Sequence, residues 1–561
     1  MRTGRTRGDA AAGKGKAKSP VNKKGDTTSK PKRKAKRKGK AKDKAKGKTK
    51  DKDKSARRQR PTREETKRRK ARYRAKCAAL KRQVADELGR VVEVAQSNGT
   101  SPYTSKEEEE AARQRTVIAF IEAVRPQLPA LLRALKGLKD PRDVKKIEHQ
   151  LALVLFYGIV CFVLHAASRR EANRELSGPV LLTHLQQYFP ELERIPHQDT
   201  LNRLLCGIEV EKLQDLHVDM LRRLVNNKKF DRFLINGRYP VAIDGTQKLV
   251  RKELNSSEWQ ERTVNKGTEA EKTQYYVYVL EASLSFANGM TLPLLSEFLN
   301  YEEGDTERDK QDCEMKAFKR LTTRLRAEFP RLPFMLVLDG LYPNGPVFEI
   351  CRKYRWQFMI VLQDGSLPTV QDEFERLIKI EPDARATMAW NERRQVFRWV
   401  NDIEHNFGDN GKKRQKVHVV ECKENWKAID PDTLEKVTKT SRHVWISSEP
   451  LTKQNLHERC NLAARHRWNI EEQNLVEKRQ GYQYEHCFSE NWNAMKAYHY
   501  LMHMAHALNV LAQYSEALLD VVRRKGVRPF ITFIRDSLVH PWLDPEKVAR
   551  ALSPTAQLRL A

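Results

Sequence analysis

Three carboxylates in this chain have the types and spacing that phosphoryl-transfer chemistry needs. Two close apolar runs of the same form, Tyr239-Pro-Val-Ala-Ile-Asp244-Gly and Leu332-Pro-Phe-Met-Leu-Val-Leu-Asp339-Gly. Each run reads as a buried strand. An acid at the C-terminal end of a strand sits at the mouth of a sheet, where ligands collect. Two carboxylates held on neighbouring strands repel, and one takes up a proton near neutral pH unless a cation relieves them. An all-oxygen donor set suits a hard divalent cation such as Mg²⁺. With a third acid, such a site holds two ions roughly 4 Å apart, one for the attacking and one for the leaving oxygen. Asp364, in Leu362-Gln-Asp364-Gly, is a rival for the second position and ranks below Asp339 because it ends a later strand. The acids Glu302, Glu303, Asp305 and Asp309 cluster in a polar connection and read as solvated.

The third acid comes from residues 465 to 480, a stretch without Pro or Gly that reads as one helix. At about 100° per residue, Arg467, Glu471 and Lys478 fall on one face, and Glu472 lies about 100° away. Such a stripe is also what a solvated, ion-paired helix face looks like. The two Asp-Gly strands favour the metal-site reading, in which the cations grip phosphates beside the acid.

The elements that must position these residues follow from pattern. Helices are expected over 61–94, 108–136, 141–168, from about 179, and from Asp199 or Thr200 as N-cap to Asn226. Gln198 to Ile208 has the form of a recognition helix in a helix-turn-helix, a form shared by any short capped helix. The texture becomes extended at Arg238. Strands at 239–244, 275–286 and 291–299 make a meander around Ala287-Asn-Gly289. A helix at 308–329, the Asp339 strand, a helix at 347–354 and a strand at 357–362 complete a β-β-β-α-β-α-β order, that of a ribonuclease H-like core with a mixed sheet flanked by helices. Residues 371–440 read as a β-rich insertion, after which His443-Val-Trp-Ile-Ser447 returns as a strand. More helices, led by 492–515, follow Gly481.

Here the chain resembles the DDE transposases of bacterial insertion sequences. Their subgroup with a β-rich insertion has a Tyr-x-x-Arg-x-x-x-Glu-x-x-x-x-x-x-Lys helix. Arg467, Glu471 and Lys478 match it at three of four positions, and Ala464 stands where the Tyr would be. Trp468-Asn-Ile-Glu471 is similar to the family's aromatic-x-Ile-Glu run. The resemblance covers about 240 to 510. It implies Asp244, Asp339 and Glu471 as catalytic residues holding Mg²⁺ (Mn²⁺ able to substitute), with Arg467 and Lys478 on DNA. It also implies double-stranded element ends and target DNA as partners, a homodimer in the DNA complex, and an insertion tryptophan (Trp390, Trp399 or Trp426) available to stack on a base. A domesticated nuclease without strand transfer, or a decayed DNA-binding protein, are the alternatives.

Composition sets the surroundings. The net charge is +33 over 561 residues. Residues 1–80 hold 34 Lys and Arg against 7 Asp and Glu, a net of +27, which leaves +6 for the remainder. Residues 1–60 are expected to be a disordered basic tail that binds phosphates by counterion release. Eight single cysteines without a Cys-x-x-Cys pair argue against a zinc ribbon and fit a reducing cytoplasm, and the resemblance implies that this is a bacterial cytoplasm, close to the nucleoid. The apolar run Leu151–Ala167 is expected to be a buried helix and not a membrane span. The expected domains are a tail at 1–60, a helical region at 61–232, the catalytic domain at 233–515 with its insertion at 371–440, and a helical end at 516–561.

Overall fold

A computed structural model describes residues 62–89, 101–299, 310–408, 411–540, 544–552 and 557–560, the side chains of 310–313 and 545 excepted. The basic tail and the acids Glu302, Glu303, Asp305 and Asp309 therefore lie outside the described residues. The chain divides into two compact units, Met1–Thr66 and Lys67–Ala561. Of the first, only the opening turn of helix α1 (Arg63–Glu87) is described. Thr62 N–H donates to Glu65 Oε2 (2.7 Å) and Glu65 N–H to Thr62 Oγ1 (3.2 Å), a reciprocal capping box.

Among the described residues, seven more helices precede the sheet: α2 (Lys106–Val124), α3 (Leu128–Lys136), α4 (Leu151–Val163), α5 (Arg169–Glu175), α6 (Pro179–Gln186), α7 (Gln198–Gly207) and α8 (Val210–Asn226). Two long helices expected from sequence are broken. Pro126 begins a tight turn between α2 and α3. Ile208, in extended backbone, separates α7 from α8, and the N-cap of α7 is His197, whose ring accepts from Asp199 N–H. The apolar run expected to be a buried helix is α4, almost wholly buried. No described helix is long and apolar enough to cross a membrane.

Among the described residues the sheet has ten strands: β1 (Tyr239–Arg251), β2 (Gln260–Val264), β3 (Lys272–Ser285), β4 (Thr291–Phe298), β5 (Phe334–Leu338), β6 (Gln357–Val361), β7 (Arg385–Trp390), β8 (Arg393–Phe407), β9 (Lys413–Ile429) and β10 (Lys436–Ser447). Their order is β2-β3-β1-β5-β6-β10-β9-β8-β7, with β4 also on β3. β1, β5 and β6 run parallel, and the remaining pairs are antiparallel, so the sheet is mixed. Helices α9 (Lys310–Glu328) and α10 (Gly345–Tyr354) connect β4 to β5 and β5 to β6. α11 (Pro368–Leu377) follows β6. β5 is Phe-Met-Leu-Val-Leu and buried throughout, as a parallel strand covered on both faces must be. The β-rich segment extends this sheet, because β10 pairs with β6 through Trp445↔Val361 to Ser447↔Met359.

After β10 come α12 (Asn469–Arg479), α13 (Trp492–Gln513), α14 (Leu519–Lys525), α15 (Val527–Val539) and α16 (Pro545–Ala551). α13 is buried along nearly its whole length and packs on α4, α7 and α8. It belongs to one apolar core that runs from Val117 through both sheet and helices to Leu560.

Candidate active site

The parallel register of β1 on β5, carried two residues past its last pair, puts the two aspartates at equivalent positions. Tyr239 pairs with Phe334 and Ala242 with Val337, a constant offset of 95 residues. Asp244 and Asp339 are also 95 apart, two steps past the last pair. Sequence reasoning ended the first strand at Asp244, but β1 continues to Arg251, paired with β3. Asp244 lies where β1 parts from β5, which is still the mouth of the parallel sheet. The glycines beside the acids serve close approach. A Cβ on Gly245 would lie 2.4 Å from the Tyr278 hydroxyl, and one on Gly340 would lie 2.3 Å from Gln363.

Glu471 arrives on α12, which packs against β1, β3 and β4. The single helix expected over 465–480 is composite. A π-helical turn (His457–Ala463) and a 3₁₀ turn (Ala464–Trp468) precede α12. No Pro or Gly marks this change. Tertiary contacts impose it: buried Arg459 bonds Ser447 and Gln357, and Arg465 bonds Glu424 of β9. Arg467 keeps its helical partner, donating from Nη2 to Glu471 Oε1 at 2.7 Å.

Electrostatics tie these groups together. Burial pushes the Asp244 carboxyl up to about 7. The Arg467 guanidinium pulls it down, while the carboxylates of Asp339, Glu471 and Glu314 push it further up. Glu314, on α9, is a member that sequence reasoning missed. Its helix was expected, but only the topology aims it at the strand ends, where the Tyr342 hydroxyl donates to it at 3.2 Å. Tyr278 and Tyr342 have their phenols pushed up by burial and by Glu314, Asp244 and Asp339. Arg467 is buried, yet its Nε has no hydrogen-bond partner.

Residues 132–220, which span the end of α3 through most of α8, match the family model described as DDE_Tnp_1-associated. That domain is found in DDE-type transposase families. The match supports a transposase generally. No curated protein matches the chain significantly. The match lies N-terminal to the stretch whose residues resemble DDE transposases, so the two observations are independent in sequence.

Other expected residues fall as follows. Glu472 is exposed, whereas the Glu471 side chain is 39% exposed beside Arg467. Lys478 pairs with Glu485 at 3.2 Å and lies 5.8 Å from the Tyr484 ring centre. Asp364 is exposed and paired with Arg442. Ala464 is buried. Trp399 belongs to the core, while Trp390 and Trp426 lie half-buried under Arg465 and Arg393. α7 buries Leu201, Leu204 and Leu205 against α4 and α13 and exposes Asp199, Arg203 and Cys206. Among the described residues, the carboxylate and imidazole groups whose ligand atoms all lie within 4.8 Å of one another are Glu281, His499 and His503. Asp244, Asp339 and Glu471 do not form such a group, so at least one pair among them stands further apart than 4.8 Å.

Proposed function

We propose that this protein is a DDE transposase of the insertion-sequence type, in the subgroup with the Tyr-Arg-Glu-Lys-type helix. On this reading it cuts element ends and joins them to target DNA. The observation that carries this is the placement of Asp244 and Asp339 at equivalent positions of β1 and β5, with the Glu471 carboxylate acting on Asp244 from α12. The strands β4-β3-β1-β5-β6, with α9 and α10 as connections, support a ribonuclease H-like core to which β2 and β7–β10 are additions.

The donor set fits a hard divalent cation. It is all oxygen and half-buried, and burial, with the neighbouring carboxylates adding to it, holds the Asp244 proton up to about pH 7. Mg²⁺, or Mn²⁺ in its place, held by Asp244, Asp339 and Glu471, would supply activation of the attacking oxygen and stabilisation of the leaving one. Arg467, bonded to Glu471, balances the carboxylates and is the cation proposed to meet a phosphate of the scissile strand. Lys478, held by an exposed carboxylate, is available to exchange Glu485 for a backbone phosphate. Leu341 N–H donates to Asp339 Oδ1 at 2.9 Å and fixes that carboxylate's orientation. Double-stranded DNA is the partner, and pairing of two ends implies a homodimer in the complex. The bacterial cytoplasm is where it would act.

A labelled terminal fragment incubated with Mg²⁺ and either wild type or Asp339→Ala tests this. Wild-type nicking followed by joined products, both absent from the variant, supports the transposase. Nicking without joining indicates a nuclease, and no metal-dependent nicking indicates a DNA-binding protein.

A further inference from the structure

Behind the candidate site lies a buried polar network that none of this chemistry uses. Glu281 of β3 is the Cα partner of Asp244. Its Oε2 accepts from the Ser296 hydroxyl of β4 at 2.6 Å, and its Oε1 from the Tyr484 hydroxyl at 3.0 Å. His499 and His503, one turn apart on α13, reach the same serine: His499 Nε2 at 2.9 Å and His503 Nδ1 at 3.4 Å. Lys248, on β1 beyond Asp244, lies 3.2 Å from His499 Nδ1 and 3.4 Å from the Tyr484 carbonyl. At the far end, Glu477 of α12 takes His506 Nδ1 at 2.5 Å and Gln473 Nε2 at 3.1 Å on Oε1. His503 Nε2 stands 3.7 Å from its Oε2, a charge pair without a hydrogen bond.

Glu281, His499 and His503 resemble a metal triad, but the Ser296 hydroxyl already stands among them. It accepts from two imidazole N–H groups and donates to the carboxylate, using its full capacity. Charge also closes without an ion. The two carboxylates balance the Lys248 ammonium and one imidazolium, His503. Burial lowers the pKa of that imidazole, and Glu281 and Glu477 outweigh the effect and raise it.

The network therefore links β1, β3 and β4, which carry Asp244 and its neighbours, to α12, which carries Glu471. Glu471 and Glu477 are six residues apart, so they point to sides of α12 that differ by roughly 120°. Glu471 pairs with Arg467 and acts on Asp244, and Glu477 is wholly buried against α13. We propose that Glu477, anchored by His503 and His506, is a positioning residue that sets the roll of α12 and so directs Glu471 toward Asp244 and Asp339. The inference rests on the active-centre reading above. A carboxylate buried at such depth has no other contact to trade for, because losing either side leaves an uncompensated charge in the core.

The test uses full-length wild type, Glu477→Gln and His506→Gln. Mn²⁺ affinity is followed by electron paramagnetic resonance, nicking by its Mg²⁺ dependence, and DNA binding in parallel. Glu477→Gln keeps an oxygen for His506 but loses the charge. It should weaken Mn²⁺ binding and raise the Mg²⁺ needed for half-maximal nicking about tenfold, with DNA affinity unchanged. His506→Gln keeps a donor and the charge of Glu477. It is the variant to read if Glu477→Gln does not fold, and should shift both readouts about threefold. Folded variants with wild-type metal dependence, even at a lower melting temperature, overturn the inference and leave the active centre standing. A wild type that neither binds Mn²⁺ nor nicks DNA refutes the active centre and the inference with it.

Discussion

Replacing Asp339 with Asn separates a shared ion site from two unrelated strand-end acids. Neighbouring strands lie about 4.8 Å apart. Asp244 and Asp339 sit two residues past the last β1–β5 pair, and two carboxylates roughly 5–8 Å apart at an effective dielectric near 20 repel by roughly 2–3 kcal/mol. Arg467 acts on Asp244 in the opposite sense. The net repulsion relieved by the substitution is therefore taken as about 1–2 kcal/mol. The sign depends on pH. Asp244 is raised from 3.8 to about 7, so the folded protein holds its proton more tightly than the unfolded chain does. That contribution is complete below about pH 4 and is lost as pH rises through about 7. Near pH 5 Asp244 is neutral, the repulsion is absent, and Asp339→Asn should change little. Near pH 8 Asp244 is charged and the repulsion acts, so the variant should melt about 1–3 °C higher than wild type without metal. Millimolar Mg²⁺ should reverse the ranking by stabilising wild type alone. Melting curves at the two pH values, with and without Mg²⁺, decide the matter. An equal shift at both pH values, or a variant stabilised by Mg²⁺ as strongly as wild type, would refute a common centre.

Three further outcomes follow from the same geometry. Glu471→Gln should lower Mg²⁺-dependent nicking at least a hundredfold, whereas Glu472→Gln, at an exposed position, should stay within about twofold of wild type in the same assay. Arg467→Ala removes the cation that pulls Asp244 down, so the acid limb of the nicking pH profile should move to higher pH, and affinity for a DNA end should fall at low salt. Gly245→Ala places a methyl group against the Tyr278 hydroxyl, and should cost about 1–3 kcal/mol in chemical denaturation; shortening that neighbour with Tyr278→Leu should recover part of it.

The parts of this molecule that were legible in the sequence are those in which local pattern and tertiary demand coincide. The Asp339 strand is a run of five buried apolar residues, and its length and composition admit no other element. The meander of β1, β3 and β4 is marked by the turn at Asn288-Gly289. What escaped is what only packing determines. β1 does not stop at Asp244, because β3 pairs with it as far as Arg251 after β5 has turned away. The helix bearing Glu471 changes winding before Asn469 because Arg459 and Arg465 are each drawn into the sheet, a demand that no residue in the helix announces. β2 is a five-residue strand with one buried residue, so alternation is weak in it, and α11, though amphipathic through Val370 and Phe374, lies at the edge of a segment whose other residues read as strands. Glu314 is one acid among several in a polar stretch, and nothing local distinguishes it from its neighbours. It gains its place because α9 returns the chain from β4 to β5, and its carboxylate then acts on Asp244 as Asp339 and Glu471 do. The same logic covers the His499–His503–His506 stripe. Its spacing is ordinary helix periodicity, and its pairing with Glu281 and Glu477 exists only once β3, α12 and α13 have come together around one buried centre.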